Sequence, residues 1–219
     1  MREQVSGAVK EVILWGGTGQ ARVLSEALAS SDVRVVAVFD NRQISSPFPD
    51  VPIFLGHEGF HGWLASRTGQ VHACVAIGGS HGCARLHLLE WLQQQGVPPL
   101  TVVHPRAFVA SDAKIGEGAQ ILAMSAVCSN VVLGRAVIVN TSASIDHDCV
   151  IGDGVHVGPG ANLAGGVCVE DHAFIGAGAV ILPRLKIGHS AIVGAGAVVI
   201  RDVTANEVVA GNPAKALRR

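Results

Sequence analysis

The chain has 219 residues, enough for one or two domains, and its 49% hydrophobic content indicates a folded protein with a sizeable core. Its formal net charge of −1 argues against nucleic acid or an anionic membrane surface as a partner. The first ten residues are polar and the next apolar run is short, so we expect no signal peptide and no membrane span. Five Cys without a Cys-x-x-Cys pair favour a cytoplasmic protein without a thiolate metal site.

The first hundred residues alternate between apolar runs and segments of helical spacing. Gly96 and Pro98 end the last of these helices. Strands separated by helices predict a small parallel sheet. The predicted strands are residues 11–17, 33–40 and 71–79, and the predicted helices are 19–30 and 81–96.

A glycine-rich turn joins the first strand to the first helix. Backbone N–H groups at such a helix N-terminus can receive a phosphate, although the spacing is not a full dinucleotide fingerprint. An acid ends the second strand, where a ribose or base is read in nucleotide-binding folds. We interpret the turn as a nucleotide-sugar site, since an NAD enzyme would still need a catalytic domain. The candidate substrate-binding residues here are Gly16, Gly17, Thr18, Gly19, Gln20, Asp40 and Asn41.

A six-residue period begins at Val109. An aliphatic residue recurs every six positions up to Val199 without a miss, often followed by Gly, and a small or apolar residue comes four positions after it. This period fits neither a helix nor a two-sided strand, and it predicts a solenoid of short strands and turns. Three hexads form one triangular coil, so residues three hexads apart stack. The aliphatic side chain points inward and the following Gly is expected to relieve the turn.

The hexads resemble those of the hexapeptide acyltransferases, which fold as a left-handed parallel β-helix. The glycine turn WGGTGQA, the acid Asp40 and the His104-Pro105 step narrow the resemblance to the sialic-acid O-acetyltransferase and bacillosamine N-acetyltransferase group. That group joins a small α/β Rossmann-like domain, implied at residues 1–103, to an all-β left-handed β-helix, implied at 104–219. The tail 208–219 resembles its closing segment. One departure is Gln20, where the group often has His.

The resemblance implies an enzyme that uses acetyl-CoA, needs no metal, and works as a homotrimer with its sites between subunits. We favour N-acetylation of the 4-amino group of a UDP- or GDP-linked 4-amino-4,6-dideoxy sugar for surface-glycan biosynthesis. O-acetylation of a sialic-acid-type sugar is the alternative within the group. The sequence motifs do not separate the two reactions.

His147 is the candidate general base, because His has the side-chain pKa nearest neutral and projects here near a coil corner. Asp146 or Asp148 would orient its imidazole, and the family pattern of His followed by an acid favours Asp148. His156, half a coil later, is expected on a different wall, and the family places a His at this offset near the thioester carbonyl. Asn140 is a candidate to bind the sugar or to position His147.

Candidate coenzyme contacts lie on later coils. Gly165 follows His147 by three hexads, so its N–H is a candidate oxyanion donor one coil above. Ala177 and Ala195 share one stack, where the resemblance implies backbone bonds to the pantetheine amides. Candidates for the CoA phosphates are Lys215, Arg184, Lys186 and Arg201.

Two alternatives belong to other functional classes. A zinc lyase resembling the γ-class carbonic anhydrases would use three His, drawn here from His147, His156, His172 and His189, but the ligand spacing of that family is absent. His172 and His189 are nevertheless expected to be near neighbours on successive coils. A non-catalytic sugar-binding β-helix is the other alternative, and the His147-Asp148 pair argues against it.

Overall fold

The computed structural model describes residues 9–29 and 31–217. The polar segment 1–8, on which the expectation of no signal peptide partly rests, lies outside these residues. So do Ser30, the predicted end of the first helix, and the last two residues of the predicted closing segment. Within the described ranges no helix is long and apolar enough to cross a membrane.

The N-terminal half is a four-stranded, fully parallel sheet in the order β3-β2-β1-β4, with three helices. The predicted strands and helices are all present, as the apolar runs indicated. The short strand β3 and the helix α2 were not predicted, because the first is only three residues long and the second contains two further glycines. The elements are β1 (Lys10–Trp15), α1 (Gly19–Leu28), β2 (Val33–Asp40), β3 (Ile53–Leu55), α2 (Gly56–Ala65), β4 (His72–Val75) and α3 (Gly82–Gln94).

An aromatic cluster packs one face of this sheet. The ring of Trp15 lies 5.5 Å from that of Phe39 and 5.7 Å from that of Phe60, and all three side chains are buried. Aromatic rings at these separations stabilise the fold beyond what the burial of their apolar area contributes. The cluster fixes the end of β1, from which the glycine-rich turn starts.

The C-terminal half is a parallel β-helix. Short strands follow one another at the predicted interval of six residues, and the aliphatic residue of each hexad closes its strand. The strands are β5 (Val102–Val103), β6 (Phe108–Val109), β7 (Lys114–Ile115), β8 (Gln120–Ile121), β9 (Ala126–Val127), β10 (Val132–Leu133), β11 (Ile138–Val139), β12 (Ser144–Ile145), β13 (Val150–Ile151), β14 (His156–Val157), β15 (Asn162–Leu163), β16 (Cys168–Val169), β17 (Phe174–Ile175), β18 (Val180–Ile181), β19 (Lys186–Ile187), β20 (Ile192–Val193), β21 (Val198–Val199), β22 (Val208–Ala210) and β23 (Lys215–Ala216).

Every third strand joins the same sheet, which gives the solenoid three walls. One wall runs from β5 to β22 and ends with the antiparallel β23, one from β6 to β21, and one from β7 to β19. Partners are three hexads apart, as in Val139 paired with Val157, so the predicted stacking is confirmed. The aliphatic position of each hexad is buried from Ile121 to Val199 and half-buried in the first two hexads, at Val109 and Ile115. Burying this ladder between coils is what stabilises the solenoid.

In the turns, the residue at one fixed position of each hexad adopts the left-handed backbone conformation. From Gly118 to Gly196 every sixth residue has a positive φ, including non-glycine residues such as Asp148 at 60° and His172 at 62°. The glycine that directly follows the aliphatic is not one of these. A Cβ at Gly176 would lie 2.5 Å from the backbone nitrogen of Ala195 on the next coil. These glycines therefore allow close coil stacking, and the expectation that they relieve the turn is wrong.

Helix α3 joins the two halves by direct contact with the β-helix. A Cβ at Gly82 would lie 2.2 Å from the carbonyl oxygen of Gly154, and one at Gly154 would lie 2.8 Å from that of Gly82. Two glycines therefore let the start of α3 rest on a coil turn. The strand Val102–Val103 pairs with Gln120–Ile121, so the β-helix wall begins just before the predicted boundary at residue 103.

Candidate active site

His147 and Asp148 form a hydrogen-bonded pair at a coil corner. His147 Nδ1 lies 2.7 Å from Asp148 Oδ2, and Asn130 Nδ2 donates to Asp148 Oδ1 at 2.7 Å. Asp146 instead accepts the backbone N–H of His147. The hydrogen bond to Asp148 and the charge of Asp146 raise the pKa of His147 above its ordinary value. The pair leaves Nε2 as the free nitrogen of an imidazole that is 60% exposed.

A cleft of about 380 Å³ is lined by this pair together with Gly165 and Arg184. A Cβ at Gly165 would lie only 2.5 Å from His147 Nε2, so the imidazole rests directly on the glycine one coil above. The carbonyl of Gly165 accepts from Arg184 N–H at 3.0 Å, while its own N–H donates to no acceptor in the described part of the chain. The cleft therefore presents a ring nitrogen beside an unpaired backbone donor.

His156 lies on a different wall from His147, as the half-coil offset predicted. It is in β14, in the wall that contains β5 and β22, whereas His147 follows β12 in a second wall. The side chain is 5% exposed and packs edge-on against Phe174. Burial and the nearby Arg85 charge lower the pKa of His156 to about 4, which keeps its imidazole neutral at physiological pH.

The hydrogen bonds of His156 define its tautomer. Asn140 Oδ1 accepts the N–H of Thr141 at 2.7 Å, which directs Asn140 Nδ2 toward His156 Nε2 at 3.0 Å. His156 Nδ1 therefore carries the proton and donates to the carbonyl of Gly79 at 3.3 Å. Within one chain Asn140 therefore bonds His156 and not His147, and its role toward the sugar stays a prediction. Asn140 directly follows β11, which lies one coil below β14, the strand of His156, in the same wall.

A second cleft, of about 440 Å³, opens at the carboxyl ends of β1 and β4. Several predicted substrate-binding residues meet there, although they come from distant parts of the sequence. Its lining comprises Trp15, Gly16, Thr18, Asp40, Asn41, Arg42, Ala76, Ile77, Gly78 and His81.

Asp40 is engaged within the protein. Its Oδ2 accepts the N–H of Gly17 at 2.9 Å, and its Oδ1 accepts the N–H and the Nε–H of Arg42 at 2.9 and 3.0 Å. Burial acts to raise the pKa of Asp40, but the bonds from Arg42 and Gly17 outweigh it and bring that pKa below its ordinary value. Asp40 is an ionised anchor for the glycine turn and for Arg42, which is the more exposed of the two in the cleft.

The remaining residues of the glycine turn have separate environments. The N–H of Gly17 is occupied by Asp40, so it is not free for a phosphate. Gly19 is exposed, with open space where a Cβ would lie. Gln20, the departure from the family pattern, donates to Gln120 Oε1 of the β-helix at 2.7 Å.

The structure does not bring all the predicted coenzyme residues to His147. Ala177 and Ala195 are exposed and stacked, since the N–H of Gly196 donates to the carbonyl of Ala177. They follow strands of the wall that contains β14, so they lie at a different corner of the coil from His147. Lys215 lies near Arg201 in a third depression near the end of the solenoid.

No protein-family model matches the chain, and no curated protein does. Among solved structures, PerB from Caulobacter crescentus, a GDP-perosamine N-acetyltransferase solved with CoA and GDP-perosamine, is 33% identical with a TM-score of 0.87, over 96% of this chain and 99% of PerB. The acetyltransferase domain of PglB from Neisseria gonorrhoeae is 31% identical, with a TM-score of 0.85 over 95% of this chain and 99% of the domain. WeeI from Acinetobacter baumannii is 29% identical, with a TM-score of 0.83 over 95% and 100%.

The chain belongs to the hexapeptide-repeat sugar acetyltransferases. Membership of this family argues against the zinc-lyase alternative. The described residues contain no cluster of three His, Cys, Asp or Glu arranged for a metal ion. His172 and His189 are near neighbours as predicted, with ring centroids 5.2 Å apart, but a third ligand does not join them among the described residues.

Three polar residues of this acetyltransferase were missed by the sequence analysis. Arg42 lines the β1–β4 cleft two residues after Asp40, and an Arg so close to the acid was the one available signal. Gln120 and Arg85 are both buried, and both bind backbone carbonyls far away in sequence. No local pattern marks either residue.

Proposed function

We propose that the chain is an acetyl-CoA-dependent N-acetyltransferase acting on the 4-amino group of a UDP- or GDP-linked 4-amino-4,6-dideoxy sugar, in surface-glycan biosynthesis. The observation that carries the proposal is the likeness to PerB over both halves of the chain, because PerB was solved with CoA and GDP-perosamine. In this reaction acetyl-CoA is a substrate that brings the acetyl group as a thioester. The acceptor amine must lose a proton as it attacks that thioester.

His147 is the proposed general base. Asp148 binds Nδ1 and so directs Nε2, the basic nitrogen, into the cleft beside Gly165. A neutral imidazole there can take the proton from the attacking amine. The unpaired N–H of Gly165 is the proposed donor to the thioester carbonyl oxygen, since a fixed backbone donor stabilises charge that develops on this oxygen.

Residues 1–103 are the proposed Rossmann-like nucleotide-sugar domain, with the β-helix domain from residue 104. The strand order 3-2-1-4 is that of doubly wound nucleotide-binding sheets, and ligands bind such sheets where the order reverses. In this chain the reversal lies between β1 and β4, where the cleft with Gly16, Thr18, Asn41 and Arg42 opens. Arg42 is the proposed cationic contact for the diphosphate or the base.

The complete site is proposed to form between subunits of a homotrimer of left-handed β-helices. His147 and His156 lie on different walls of one chain, so one catalytic site that uses both needs a neighbouring subunit. The wall of His156 leads to the corner with Ala177 and Ala195. We therefore propose that acetyl-CoA runs along that corner toward Lys215, with its thioester between His156 of one subunit and His147 of the next.

The test is turnover with acetyl-CoA and a panel of UDP- and GDP-linked amino sugars, followed by thiol release and mass spectrometry of the product. We expect amide formation on one of these sugars and a loss of roughly 10²–10⁴-fold in His147→Ala, with folding retained. Light scattering of the same protein measures its molar mass in solution, which gives the number of chains in the oligomer. Turnover that survives in His147→Ala would contradict the base assignment, and acetylation of free sialic acid alone would replace N-acetylation by O-acetylation.

A further inference from the structure

The segment from Val75 to Gly79, between β4 and α3, is held by side-chain hydrogen bonds at alternate carbonyls. Its middle residues line the β1–β4 cleft. Two of the three donors belong to the β-helix, and the third belongs to α3. The bonds are Gln120 Nε2 to Val75 O at 2.8 Å, Arg85 Nη1 to Ile77 O at 2.9 Å and His156 Nδ1 to Gly79 O at 3.3 Å.

Arg85 is the central donor of the three. Its side chain is 0% exposed, and no ion pair among the described residues includes it. Burial lowers the pKa of Arg85 only to about 10, so the guanidinium is charged at neutral pH. A buried charge without a carboxylate is costly unless its donors are satisfied. Here Nε donates to Ala136 O at 2.8 Å, and Nη2 donates to Gly154 O at 2.6 Å.

The two β-helix carbonyls come from equivalent turns of successive coils. Ala136 and Gly154 are three hexads apart, and both have a positive φ. Neither carbonyl accepts a backbone hydrogen bond in the described part of the chain, so both are available to a side chain. A planar guanidinium can bond to several carbonyls at once in a fixed geometry, which an ammonium group cannot do. Arg85 thus ties segment 75–79 to two coils.

We propose that Arg85 is a positioning residue that makes segment 75–79 a rigid link between the nucleotide cleft and His156. One side of the segment lines the cleft, and its last carbonyl orients the imidazole of His156. Because the segment is held as one unit, a ligand that fixes its position from the cleft also fixes the carbonyl that orients His156, and a ligand bound beside His156 fixes the wall of the cleft. Binding of nucleoside diphosphate and of CoA would then be mutually favourable, with one coupling factor for both ligands. The assignment of these two ligands rests on the proposed function.

Calorimetry with GDP, UDP and CoA on the full-length protein tests this link. We expect CoA to tighten binding of the nucleoside diphosphate about five-fold or more in wild type. In Arg85→Met, which keeps the apolar length but removes every donor, the factor should fall to about one. Arg85→Lys keeps the charge but not the planar fork, and it should also lose most of the coupling. Arg34→Met is the matched control, because Arg34 is an exposed residue of the same domain that pairs with Glu11.

A merely structural role for Arg85 predicts a lower melting temperature with the coupling factor unchanged in the folded protein. If Arg85→Met does not fold, Gln120→Met removes the neighbouring bond to Val75 O and should reduce the coupling as well. Hydrogen exchange of peptide 75–79 should be faster in either folded variant. Coupling at the wild-type level in a folded variant overturns the proposal, as does a wild type that binds neither nucleotide or shows no coupling.

These measurements need no amino sugar. A wild type that shows Arg85-dependent coupling but acetylates no nucleotide sugar keeps this inference and rejects the proposed function. A wild type that acetylates such a sugar without any coupling keeps the proposed function and rejects this inference.

Discussion

Replacing Gly165 with Ala should separate catalysis from folding. The added Cβ would lie 2.5 Å from Nε2, 2.6 Å from Cε1 and 3.1 Å from Cδ2 of His147. Because non-bonded carbon atoms settle at about 3.5–4.0 Å, the ring must move by about 1 Å. Gly165 does not have a positive φ, so its backbone accepts Ala. The imidazole can swing toward solvent, and stability should change by no more than about 0.5 kcal/mol.

The same displacement should be costly for the reaction. Moving a catalytic group by about 1 Å can lower the rate about 10²-fold, which corresponds to about 2.7 kcal/mol of activation free energy. The measurement is kcat from thiol release at saturating concentrations of both substrates, together with the melting temperature of the same sample. We expect kcat to fall while the melting temperature stays.

Gly188→Ala is the matched control within the β-helix. Its Cβ would lie 2.5 Å from the backbone nitrogen of Ala205 and 2.8 Å from the carbonyl carbon of Thr204, and neither atom can swing away. Overpacking of this kind costs about 1–3 kcal/mol, so this variant should lose stability while its folded fraction keeps its kcat. A Gly165→Ala protein with wild-type kcat, or one destabilised as much as Gly188→Ala, would refute the assigned contact.

Two predictions concern pH. The hydrogen bond from His147 to Asp148 raises the pKa of the base, so Asp148→Asn should move the acid limb of the kcat/KM profile to lower pH; an unmoved limb would argue against His147 as the titrating base. Burial holds the folded-state pKa of His156 at about 4, below about 6.5 in the unfolded chain, so its contribution to stability is complete above pH 6.5 and is lost as pH falls toward 4. In urea unfolding at pH 7 and pH 5, His156→Gln should show a smaller drop in unfolding free energy than wild type, and equal drops would contradict a buried neutral imidazole.

The β-helix was predictable because its signal is local and repeated. An inward aliphatic residue every six positions fixes the strand, the turn and the stacking distance together. The pairing of His147 with Asp148 was also within reach, since the two residues are neighbours in the chain. The reason for the repeated glycines was not, because a Cβ at Gly176 collides with the next coil, three hexads later in the chain, and the sequence alone does not give that approach distance.

Contacts between the two halves were beyond sequence reasoning. Arg85 reaches carbonyls that are 51 and 69 residues away, and a backbone carbonyl leaves no mark on the sequence. The interpretation of Asp40 had a different difficulty. An acid at the end of the second strand suits both a ligand contact and an internal anchor, and only the positions of Gly17 and Arg42 distinguish them.

One residue in each hexad from Gly118 to Gly196 has a left-handed backbone conformation, and this fixed position sets the register of the side chains along the solenoid. A one-residue insertion between Gly118 and Gly196 would shift every later side chain by one position within its hexad. Aliphatic residues that now face the axis would become exposed. Such a domain tolerates a change of length only as whole layers of three hexads or as a loop extruded at a corner. His147 has layers above and below it, so the stack can lengthen at either end while the reacting groups stay where they are.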